Sequence, residues 1–155
     1  MTQSNIHERL KALDIALSPA SAPAAAYVMS AQSGNLVFLS GHIAKKNGTV
    51  WQGKLGESMS TDEGRAAARA VAIDLLSTLH AHTGDLNRVA RIVKVVSLVN
   101  STADFTDHHL VTNGASELFA DVFGDAGKHA RSAFGVAQLP LGACVEIEVC
   151  VELSE

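Results

Sequence analysis

The chain has 155 residues, is 47% hydrophobic and carries a formal charge of −4 with no run of like charge. That is enough sequence for one domain with a real core, and the acidic balance leaves no electrostatic footprint for a polyphosphate, so nucleic acid is not an expected partner. No apolar stretch approaches the roughly 20 residues that span a bilayer, and the opening MTQSNIHERLKALDIALS lacks a basic stretch leading into an unbroken apolar one, so no membrane association and a cytoplasmic location are expected.

In chain order, Ile6, Leu10, Leu13 and Leu17 fall at helical spacing among charges and predict an amphipathic helix over 5–17. SPASAPAAA, with Pro19 and Pro23, is a connector. Short apolar runs at 27–31 and 36–39, separated by Gln32-Ser33-Gly34-Asn35, predict a hairpin, and KKNGTVWQGKLGE a glycine-rich loop. Ser60-Thr61-Asp62-Glu63 is a capping box, followed by the stripe Ala68, Val71, Ala72, Leu75, Leu76 and Leu79, until Gly84 stops the helix.

RIVKVVSLV, residues 91–99, is apolar on both faces and predicts an interior strand covered on each side. A second helix is expected over about 106–123, ending at Gly124, and two strands over about 132–139 and 144–153, joined by Pro140-Leu141-Gly142. The order implies an α+β fold with helices on one face of a mostly antiparallel sheet. Two helices cover one face only, so self-association is the economical cover for the other.

Several residues could carry chemistry. Arg131, at the start of a strand, could grip a carboxylate through two parallel hydrogen bonds, or be a charge at a strand end. Along the last strand Val145, Ile147, Val149, Val151 and Leu153 face one way and Glu146, Glu148 and Glu152 the other. That row of carboxylates is a solvated face, unless one glutamate sits in a partly dry cleft and serves as a base for water.

Ser40-Gly41 could present a backbone N–H to a ligand or simply end a strand. His80 and His82 suit a helix C-terminus, and His108-His109 an exposed helix start. Neither pair has the spacing of a metal face, so no metal is expected. Cys144 and Cys150 lie about 20 Å apart on one predicted strand and read as free thiols. Triad and phosphate-loop motifs are absent.

The tail ARSAFGVAQLPLGACVEIE resembles the signature of the Rid family, the reactive-intermediate deaminases also called the YjgF family. GNLVFLSGHI and DLNRVARIVKVVSLVNSTADF resemble its earlier strands in the right order. The resemblance implies a chorismate-mutase-like α+β fold for residues 1–155 as a single domain, with 1–20 the N-terminal helix and connector and 25–155 the core. It further implies a homotrimer whose sheets line a central barrel, with three clefts between subunits.

Carried over, it puts Arg131 on a substrate carboxylate, Glu146 in the water-orienting role, and Tyr27, Ser40, Gly41, Asn113 and Ala133 around the cleft. The implied reaction is hydrolysis of an enamine or imine such as 2-aminoacrylate to a 2-keto acid and ammonia, without a cofactor. The chain departs from better-known members in having Ala133 where cysteine is common, about four more residues between Phe105 and Asn113, and an extra N-terminal helix, as in a longer-chain branch.

A simple hairpin of the last two strands would leave Arg131 about 20 Å along the sheet from Glu146. The two then share a site only if the strand bends, the pairing differs or neighbouring chains contribute. The alternatives to a deaminase are a non-catalytic trimeric binder of small carboxylates and an endoribonuclease, the last disfavoured by the acidic charge.

Overall fold

In the computed structural model, which describes residues 5–155, the longest element grows from the Ser60 capping box. Ser60 N donates to Glu63 Oε2 at 2.8 Å, and Glu63 N donates to Ser60 Oγ at 3.2 Å. From there helix α2 runs Thr61–Thr83, and Gly84 closes it in the left-handed region, φ 74°, with its N–H on the His80 carbonyl. All six residues of the predicted stripe are buried, and truncating Leu75, Leu76 or Leu79 to alanine costs about 2–5 kcal/mol.

Helix α1 is Ile6–Ala12, held at its start by Asn5, whose side chain accepts from His7 N. It ends five residues before the expected Leu17, because Asp14 turns into the left-handed region at φ 55°. Leu10 is buried, while Leu13, Ile15 and Leu17 still pack on the core without being helical. Residues 1–4 of the expected N-terminal segment lie outside the described residues.

Strands β1 (Ser30–Ser33) and β2 (Leu36–Ile43) form the first hairpin around Gly34. The loop after it contains a small second hairpin, β3 (Lys45–Lys46) and β4 (Thr49–Val50), turned by Asn47 and Gly48 at φ 53° and 77°. Strand β5 spans Val89–Asn100, helix α3 His108–Phe123, β6 Ala130–Val136 and β7 Val145–Leu153. The main sheet has the order β1-β2-β7-β5-β6; β5 and β6 are parallel, and the other pairs antiparallel.

The expected tail hairpin is therefore corrected: β5 lies between β6 and β7. Helix α3 carries the chain back so that β6 runs beside β5, and residues 137–144 then cross the end of β5 before β7 begins with Val145 opposite Val99. Asn100 ties that crossing, donating from Nδ2 to Gln138 Oε1 at 2.6 Å and to the Ala143 carbonyl at 3.2 Å. Helices α2 and α3 cover one face, above buried Val37, Leu39, Ile92, Val95, Val99, Ile147 and Val149. The opposite face carries Phe38 and Phe134, 50% and 45% exposed, with Val96 and Leu98 half-buried between them.

Candidate functional site

Arg131 is the second residue of β6 and faces α3, opposite Val95 of β5. Nη1 donates to Asn113 Oδ1 at 2.8 Å and to Ser116 Oγ at 3.2 Å, and Nη2 donates to the His109 carbonyl at 3.3 Å. Residues 109, 113 and 116 form one helical stripe, so a single face of α3 receives the guanidinium. Ser116 also reaches His129 Nε2 at 2.8 Å. Burial, and then the Arg131 charge, holds His129 below the usual histidine range.

Ala133 follows on the same face of β6, opposite Ser97.

A second cluster lies across the sheet. Between Leu39 and His42 the β2–β7 register slips, and the bulge holds Ser40 and Gly41. Ser40 N donates to the Met29 carbonyl at 2.9 Å and its hydroxyl to the Val28 carbonyl at 2.6 Å. The Glu146 carboxylate lies so close over Gly41 that a Cβ there would stand 2.1 Å from Oε1. Burial raises the Glu146 pKa, and the neighbouring Glu148 raises it further. Beneath the bulge His42 is buried, its Nδ1 2.6 Å from the Ser40 carbonyl and its Nε2 2.7 Å from Thr78 Oγ1.

The fold thus joins Arg131 to Asn113, and Glu146 to Ser40-Gly41, but keeps the two groups apart. Arg131 is level with Val95 and Glu146 with Leu98, an odd number of residues along β5, so their side chains leave opposite faces of the sheet. Two strand spacings and three residues of rise separate their backbones by about 14 Å. Tyr27 stands ahead of β1, at the far edge from β6, and its hydroxyl accepts from Ala24 N at 3.3 Å.

Ser116, His129 and the His109 carbonyl were not among the expected site residues. The 109/113/116 spacing on α3 was the available signal, but nothing in the sequence says that this stripe meets β6.

His80 and His82 lie in the last turn of α2, as expected, and of the second pair only His108 departs from the exposed position expected for it. His82 bonds to Ser30 Oγ and Gln32 Oε1, pinning β1 to the end of α2. His108 is half-buried against Ser101 and Phe105, while His109 is exposed. Cys144 is buried just before β7, and burial pushes its thiol up to about 11. Among the described residues, no group of three or more His, Cys, Asp or Glu side chains could hold a metal, and no helix is long and apolar enough to cross a membrane.

The profile of the YjgF/chorismate mutase-like family, whose description adds a provisional endoribonuclease label, matches residues 7–153. Protein TCP17 of Trypanosoma cruzi is 45% identical over 156 residues, covering 99% of this chain and 98% of the relative. The crystal structure of Atu1372 from Agrobacterium tumefaciens, a protein of unknown function, superposes with a TM-score of 0.89 at 38% identity, covering 96% of this chain and 92% of that one. RidA from an Antarctic Psychrobacter superposes with a TM-score of 0.59 at 27% identity, covering 86% and 94%.

Proposed function

We propose, for a chain that belongs to the YjgF/chorismate mutase-like family, that it hydrolyses small enamines or imines bearing a carboxylate, of the 2-aminoacrylate type, to 2-oxo acids and ammonia. The observation that carries the reading is the state of Arg131. Helix α3 takes both Nη1 hydrogens and one on Nη2, leaving Nε–H and the other Nη2 hydrogen for a carboxylate. Asn113 keeps the fork in place.

An imine held by its carboxylate needs only a positioned water and a proton acceptor. Water adds to the C=N carbon as one of its protons passes to a base and the nitrogen takes up a proton; the base then returns its proton to the carbinolamine nitrogen, which leaves as ammonia while the hydroxyl loses its proton and the C=O bond forms. Glu146 suits the base, because a carboxylate whose pKa is raised by burial is a better proton acceptor near neutrality. No cofactor enters this chemistry.

Within one protomer Glu146 cannot reach a substrate on Arg131. The reading therefore includes a homotrimer, in which the open sheet face with Phe38 and Phe134 turns inward and each cleft takes Arg131 and Asn113 from one chain and Ser40, Gly41 and Glu146 from the next, with Tyr27 at its rim. The same separation supports a second reading, a binder of small carboxylates that uses the Arg131 fork without turnover. An endoribonuclease is a poorer fit to a chain of net charge −4.

The test is ammonia and pyruvate release from enzymatically generated 2-aminoacrylate, with Arg131→Ala alongside. Acceleration lost in the variant supports the deaminase. If the wild-type protein gives no acceleration but pyruvate binding depends on Arg131, the second reading replaces it.

A further inference from the structure

Arg131 is gripped from the α3 side alone, and the direction of its unengaged N–H pair depends on what Ser116 does with its own proton. A hydroxyl has one hydrogen and two lone pairs, so Ser116 accepts from Arg131 in a fixed direction only when its hydrogen is committed elsewhere. His129 commits it. Nδ1 of that ring lies 2.6 Å from the Gly127 carbonyl oxygen, which can only accept. Nδ1 therefore carries the ring proton, and Nε2 presents a bare lone pair 2.8 Å from Ser116 Oγ. The proton order then runs one way, from Arg131 to Ser116 to His129 to Gly127.

The surroundings keep the ring in that state. His129 packs edge-on to Phe119, with ring centroids 6.0 Å apart; burial above all, and then the nearby guanidinium, disfavour a second ring proton and outweigh the Gly127 carbonyl, which favours one. The motif occurs twice. His42 uses Nδ1 on the carbonyl two residues before it and Nε2 on a hydroxyl of α2, directly under the Ser40-Gly41 bulge. In both places a neutral histidine locks irregular or edge backbone to a helix hydroxyl.

We infer that Ser116 and His129 are positioning residues, a brace that sets the direction of the Arg131 fork for a substrate carboxylate. They act through the arginine and touch no substrate atom. The inference rests on the anchor role proposed above for Arg131. It goes beyond it in making carboxylate affinity depend on a tautomer and a hydroxyl outside the contact surface.

The experiment compares the full chain with Ser116→Ala, His129→Ala, His129→Gln and Arg131→Ala. It reads pyruvate affinity by calorimetry, imine turnover split into KM and kcat, and the His129 ring by nitrogen NMR. Ser116→Ala and His129→Ala are expected to weaken pyruvate about 10-fold and raise KM equally, with kcat within about 2-fold, as for loss of one charge-assisted hydrogen bond in the anchor. His129→Gln, whose Oε1 can accept the same proton, is expected to recover most of that loss, which separates orientation from mere folding. The wild-type ring is expected as the neutral Nδ1–H form at neutral pH.

Pyruvate affinity unchanged in both alanine variants, no rescue by glutamine, or a ring protonated at Nε2 would each overturn the brace. Equal pyruvate binding by wild type and Arg131→Ala would overturn it together with the anchor. Absence of imine turnover with the binding pattern intact would remove the deaminase reading and leave the brace standing.

Discussion

Gly41→Ala isolates the Glu146 carboxylate better than any change at Glu146 itself. The added Cβ would stand 2.1 Å from Oε1, whereas ordinary contact begins at 3.4 Å, so the carboxylate must retreat by about 1.3 Å. Gly41 is absent from the positive-φ positions, so the alanine brings no left-handed backbone strain, and what it displaces is the far end of a flexible side chain. Stability should therefore change by about 1 kcal/mol or less. Catalysis should not be spared, because a misplacement of about 1 Å in a reacting group costs on the order of 100-fold. The assay pairs initial rates of ammonia release with thermal denaturation, using Gly114→Ala as contrast. There the Cβ would meet the Arg65 carbonyl oxygen at 2.0 Å, a backbone atom at the α2–α3 contact, so stability should fall instead. A Gly41→Ala protein that folds normally and keeps its full rate would refute the assignment of Glu146 as the base.

Further expectations concern pH and assembly. Activity should fall as acid protonates Glu146, along a limb displaced above the usual carboxylate range, and Glu148→Gln should move that limb to lower pH by removing a neighbouring charge; a limb unmoved by the substitution would remove Glu148 from the account. Phe134→Glu, on the open face, should turn a trimer into a monomer by light scattering, and a wild-type monomer at micromolar concentration would exclude the intersubunit cleft. Burial holds His42 below its unfolded pKa despite its hydrogen bond to the Ser40 carbonyl and attraction from Asp74, with Lys45 adding to the depression. Folding therefore excludes the proton, and stability should decline as pH falls through the unfolded histidine value of about 6.5 and go on declining until the lower folded pKa is passed. His42→Gln should show a smaller decline; equal declines would assign the effect to other groups.

Local signals in the sequence were reliable where they needed no distant partner. The Ser60 box, the stripe behind it and Gly84 specify α2 end to end, and the alternation of β7 gives its faces correctly. Helix α1 was overread because Leu13 and Leu17 keep an apolar period that tertiary packing uses outside a helix, after Asp14 has broken it. The partner of β6 was hidden for a related reason: apolar patterning says that a strand is buried, not which neighbour buries it, and insertion of β7 beside β5 is a topological fact. Within the site, Arg131 and Glu146 stood out through the resemblance. Ser116 and His129 did not, because their link to Arg131 exists only once α3 has returned the chain alongside β5.

The opposite orientation of Arg131 and Glu146 makes the proposed trimeric assembly testable by mixing variants. If each cleft draws Arg131 from one chain and Glu146 from the next, Arg131→Ala and Glu146→Gln homotrimers have no complete cleft. A trimer reassembled from an equal mixture does. A cleft is complete when the chain on its arginine side is the glutamine variant and the chain on its glutamate side is the alanine variant, which random mixing meets at about one quarter of clefts. Removing a general base leaves a residue about 100-fold to 10,000-fold below wild type, so recovery to about a quarter would rise far above either parent. Cofolded mixtures, with subunit exchange verified by native mass spectrometry, provide the assay. Verified mixed trimers that stay at the parental level would show that no cleft combines the two residues from different chains, and the separation across the sheet would then favour the carboxylate binder over the deaminase.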